Sequence, residues 1–131
     1  MKKLLIAAAV ILFSSGLLNA QNKDQDVFTP IGKYINAGDY EKLSAWFADN
    51  IELDILGAIN NCTRNQAKLI MKNFFNNHTP KKFSIIHKSG KSPMKYAVGK
   101  LDAGGENFRI ILYVKSTETD NYIEQLKVER D

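Results

Sequence analysis

Few side chains in this sequence are of the kinds that carry out covalent or proton-transfer chemistry. It has one thiol, Cys62, and two histidines, His78 and His87. A thiol nucleophile needs a base held beside it, and neither histidine stands in a motif with Cys62. A single cysteine also cannot close an intrachain disulfide, so Cys62 reads as a small, partly buried core residue and the fold must rest on packing. The histidines lack the spacing of metal ligands, and no Gly-X-Ser-X-Gly, paired cysteines or phosphate-binding glycine loop occurs. His87, on a run that places Phe83 and Ile85 on its own face, reads as a half-buried, hydrogen-bonded side chain. No catalytic residue, metal or cofactor is assigned. The Asn-X-Thr triplets at Asn61 and Asn77 would accept glycans only in a eukaryotic secretory route.

Charge is more informative than catalytic residue types. From Ile55 to Leu101 there is no acidic residue, against nine lysines and arginines, whereas the flanking segments are acidic. Lys81, Lys82, Lys88, Lys91 and Lys95 form a candidate basic patch for an anionic partner, such as a lipid head group or an acidic glycan. The opposing expectation is that acidic strands pair beside basic ones and the fields cancel. No base-stacking aromatic motif accompanies the lysines, so nucleic acid is not expected.

The elements that must position these groups follow from periodicity. Lys2 and Lys3, the apolar run Leu4 to Phe13 and the small residues up to Ala20 read as an export signal cleaved before Gln21. The run is too short to span a bilayer, and no cysteine follows it to take a lipid anchor. Residues 21–25 are expected to be a short flexible N-terminus, and 26–131 a single domain. Asp26 is the expected N-cap of a first helix carrying Val27, Phe28, Ile31, Tyr34 and Ile35, which Gly38 ends. Asp39 caps a second, with Leu43, Trp46 and Phe47 as its stripe. A strand over Ile51 to Ile55 turns Ile51, Leu53 and Ile55 inward. Thr63 and Gln66 make a capping box for a third helix, whose stripe is Ala67, Ile70, Met71, Phe74 and Phe75. Strands are expected over Phe83–Lys88, Lys95–Leu101, Asn107–Lys115 and Tyr122–Glu129, the last with a bulge between Ile123 and Leu126. Ile111 and Tyr113 fall on the outer face of their strand and are candidate interface residues.

The stretch Asn36 to Gly57, with its helix end, short capped helix and strand, resembles the opening of the nuclear transport factor 2-like (cystatin-like) superfamily. The order of elements extends that resemblance over nearly all of the chain after the signal. It implies an α+β cone, with three N-terminal helices packed on a curved, mostly antiparallel sheet. The third helix is also similar to that of a family of small exported bacterial proteins of unknown function with the same fold, in the run from Gln66-Ala67 to Phe74-Phe75.

Among superfamily members, ketosteroid isomerases use a base on the first strand and a tyrosine with an acid as the oxyanion hole. Counting back from Gly57 puts that base at Asp54; counting forward from Ala48-Asp49 puts it at Ile55. Strand alternation favours Ile55 as the inward residue, because a slip of one would turn the apolar set to solvent. The tyrosine position falls on Ile31, a turn before Tyr34. A base without oxyanion donors gives little rate, so this chemistry is not expected.

Two non-catalytic readings remain, with a small-molecule isomerase or cyclase-like enzyme using the cone as the alternative. In the first, Ile31, Tyr34, Ile55, Phe75 and Phe108 line a pocket for a small apolar or amphipathic ligand. In the second, the cone is filled by its own side chains, and the outer face with Ile111 and Tyr113 forms a homodimer or docks on an envelope protein.

Overall fold

A computed structural model describes residues 26–131; the expected signal and residues 21–25 lie outside the described residues. Helix α1 spans Phe28–Ala37 and α2 Tyr40–Ser44. Strands β1 (Phe47–Ile55) and β2 (Ala58–Thr63) follow, then α3 (Arg64–Asn77). Four more strands complete the domain: β3 Pro80–Lys91, β4 Met94–Ala103, β5 Glu106–Ser116 and β6 Asn121–Arg130. They form one sheet in the order β2-β1-β6-β5-β4-β3, antiparallel except for the β1–β6 pair. The helices pack on its inner face. Among the described residues no helix is long and apolar enough to cross a membrane.

The helix ends follow their side chains. Gly38 sits at φ 66°, and its amide bonds back to the Ile35 carbonyl. The Asp39 carboxylate accepts from the Lys42 amide, and both halves of the Thr63–Gln66 capping box are formed. At α1 the expectation is off by one. Val27 is the cap position, and Asp26, outside it, accepts from the Phe28 amide at 2.8 Å.

Two departures from the expected elements matter for the site. Helix α2 stops at Ser44, and Phe47 opens β1 instead of continuing the helical stripe. The Trp46 amide closes a tight turn on Leu43, while its carbonyl takes the Ile123 amide at 2.7 Å. Sheet pairing thus overrides helical spacing. The second departure is β2, which stands between β1 and α3, so only two of the three helices precede the sheet. Leu56 and Gly57 make its two-residue hairpin at φ 55° and 91°, the primed geometry that matches strand twist.

The sheet is curved by irregularities. In β3 the register slips at Ile86, between the Ile85–Gly99 and His87–Val98 pairs. Gly99 lies under the Phe83 ring, where a Cβ would come within 2.2 Å of Cζ, so only glycine lets the ring cross the strand. The expected bulge in β6 is present at Glu124.

The core sits between this curved face and the helices. Phe108, Ile110, Leu112 and Val114 of β5 are all fully buried, and so are Ile31, Ile35, Leu43, Leu53 and Met71 from the opposing elements. Each such side chain contributes roughly 1.5–3 kcal/mol of transfer free energy. Asn36 ties α1 to the sheet edge by accepting the Phe83 amide at 2.8 Å.

Candidate functional site

The cone contains side chains where a ligand was one expectation. Ile31 and Phe108 are fully buried and Phe75 is nearly so. The Phe108 ring is closed in by Phe74 at 5.4 Å and His78 at 5.0 Å, and the Arg130 guanidinium lies 5.8 Å from its centroid. Glu106 stands between those two groups, 3.5 Å from His78 Nδ1 and 3.6 Å from Arg130. Periodicity identifies Phe108 as inward but gives no sign of this polar cap, because its members come from α3's end, β5 and β6.

Of the five expected pocket residues, Ile55 lines an open cleft. That cleft, of about 280 Å³, lies between the β1–β2 hairpin and α3, with Ile55, Ile70 and Phe74 as apolar wall and Asn73, Asn77 and His78 on its rim. Tyr34 is half-buried on α1 with Lys42 over its ring. Asp54, the other position weighed for a base, accepts the Gly57 amide at 3.0 Å and so holds the hairpin turn. Cys62 is half-buried, its thiol directed at the Ile51 carbonyl, and burial pushes its pKa up, away from thiolate chemistry.

The five lysines do not form one patch. Lys81 and Lys82 lie near one end of β3, while Lys88, Lys91 and Lys95 lie about the far end of the β3–β4 hairpin. Lys88 lies six positions along the strand from Lys82, on the order of 20 Å. Lys88 is paired with Asp26. Burial would raise the Asp26 carboxyl, but Lys88, the Phe28 amide and the charge of Lys95 outweigh it and hold the pKa below the ordinary value. Cancellation between neighbouring strands is nevertheless incomplete: β3 and β4 pair with each other, and their one carboxylate is Asp102.

The sheet's outer face is the larger open feature. Tyr96 and Tyr113 stack across β4 and β5 with centroids 5.8 Å apart, and His87 lies 5.6 Å from Tyr96. His87 is exposed, not half-buried as expected, because the slip at Ile86 moves it to the face opposite Phe83 and Ile85. In the next row Ile59, Asp54, Lys127, Ile111 and Val98 run across the strands. Ile111 is half-buried, and Ile59 and Tyr113 are exposed. Tyr96 and Val98 were legible as members of this face from the alternation of β4.

A family model described as a domain of unknown function, DUF4783, matches residues 28–129. The chain belongs to the DUF4783 family. Its structure is similar to that of a DUF4783 family protein from Bacteroides uniformis, with TM-score 0.77 and 20% identity over 81% of this chain and 98% of that one. A DUF4783 protein from Bacteroides ovatus gives TM-score 0.75 at 20% identity, over 79% and 94%. An NTF2-like protein of unknown function from Cytophaga hutchinsonii gives TM-score 0.58 at 10% identity, over 81% and 88%. None of the curated proteins matches the chain. The DUF4783 domain therefore has the NTF2-like α+β fold with a curved, mainly antiparallel sheet.

Proposed function

We propose that this DUF4783 protein is a non-catalytic interaction module of the bacterial cell envelope, exported by its N-terminal segment. It associates through the outer face of its sheet, with a second copy of itself as partner. The observation that carries this reading is the contrast on one strand: β5 is sealed on its inner face, while Ile111 and the Tyr96–Tyr113 stack face outward.

Size and charge both support a second copy. Six strands at about 4.8 Å spacing and some ten residues long cover on the order of 800 Å², one partner's share of a standard interface. Glu52 and Asp54 of β1 lie on one side of the face, and Lys91 and Lys100 of the β4–β3 hairpin, the latter 3.5 Å from Asp131, on the other. A two-fold axis running along the strands between β5 and β6 lays the acidic side of one copy over the basic side of the other.

Native mass spectrometry of the protein from its host envelope tests this reading. The expected spectrum is a dimer of chains cleaved before Gln21, with no added mass. A monomer carrying a mass that leaves on denaturation would overturn it and favour the cleft beside Ile55 as a ligand site.

A further inference from the structure

The pairing of β1 with β6 fails in one place. Phe47 faces Ile123 and Glu52 faces Gln125, so four residues of β1, Ala48 to Ile51, stand against the single residue Glu124. Glu124 is also the extra residue where β6 slips against β5. Such a bulge leaves backbone groups without ladder partners and re-aims the side chain it carries. Here it opens a recess of about 300 Å³, whose lining includes Asp49, Arg64, Lys115, Thr117, Tyr122 and Glu124.

The charges of this recess are not used up by one another. Arg64 is committed to the wall: its Nε donates to the Phe47 carbonyl at 3.0 Å and its terminal nitrogen to Asp49 at 3.0 Å. Lys115 and Glu124 have no ion-pair partner among the described residues. The negative charge of Asp120, with a hydrogen bond to it, pushes the Tyr122 phenol up. A cation and a carboxylate with no ion-pair partner among the described residues therefore line one small opening. A purely anionic ligand would meet Glu124, and a purely cationic one Lys115. An apolar ligand would desolvate both.

We infer that the recess binds a small zwitterion of α-amino acid size, its ammonium on Glu124 and its carboxylate on Lys115. Thr117 stands beside them as part of the wall, its hydroxyl accepting the Asp120 amide at 2.9 Å and donating to the Asp120 carbonyl at 3.2 Å. The volume, about 300 Å³, is at the low end for small-molecule sites.

The test is a titration of the ¹⁵N-labelled protein with glycine, L-phenylalanine and L-glutamate, each beside its N-acetyl and methyl ester derivatives. Free amino acids are expected to shift the amides of residues 48–51 and 122–124. Removing either ligand charge should weaken binding about tenfold or more. Glu124→Gln should weaken the free amino acids to a similar degree while leaving the rest of the spectrum in place. No shift at about ten millimolar amino acid, or equal binding of the N-acetyl derivatives, would overturn the inference. Repeating the titration on the Ile111→Lys, Tyr113→Lys variant keeps the outcome separate from that of the proposed association.

Discussion

The two faces of β5 differ sharply in burial. Phe108, Ile110, Leu112 and Val114 are fully buried under the helices, while on the opposite face Arg109 and Ile111 are half-buried and Tyr113 and Lys115 exposed. The same strand closes a cone on one side and offers an aromatic, mixed-charge surface on the other. Side chains occupy the concave face, and the proposed association uses the outer one. Fold similarity alone could not make that distinction.

The comparison breaks most severely at Phe108. Replacing it with alanine removes a ring packed against Phe74 and His78, and the capping side chains would have to collapse into the space. The expected loss is about 3–5 kcal/mol in urea unfolding. A loss below about 1 kcal/mol would mean that the cone tolerates empty volume, and the ligand-pocket reading would regain support.

Much of the inner face was legible in the sequence because it is local and periodic. The capping box at Thr63, the end of α1 at Gly38 and the inward set on β5 each follow from spacing within one segment. What was not legible depends on distant partners. Strand β2, Ala-Ile-Asn-Asn-Cys-Thr, has no apolar alternation, since it sits at an edge and is exposed along most of its length. Phe47 follows helical spacing from Leu43, yet pairing with Ile123 draws it into the sheet. His87 was placed on the wrong face because one slipped residue, Ile86, inverts the parity of everything after it. The cap of His78, Glu106 and Arg130 joins three elements far apart in the chain, and no local pattern could announce it.

The smallest expected effect concerns the basic hairpin, where Lys88 meets Asp26 instead of standing free. The folded Asp26 carboxyl has a lowered pKa, so its contribution is present above the unfolded value near 3.9 and is lost as pH falls through the folded value. Asp26→Asn should therefore cost less than about 1 kcal/mol at neutral pH, because the Lys88 side chain is half exposed. The variant and wild type should converge in acid unfolding curves once the pH has fallen below the folded value. A constant gap at all pH values would show that the carboxylate acts only as a neutral cap for the Phe28 amide.

The proposed association requires that the outer face self-associates while the inner face does not change. Sedimentation equilibrium of the wild type beside the Ile111→Lys, Tyr113→Lys variant measures this directly, with circular dichroism to confirm the fold. The prediction is a dimer for the wild type and a folded monomer for the variant. Two folded proteins with the same mass in solution would contradict it.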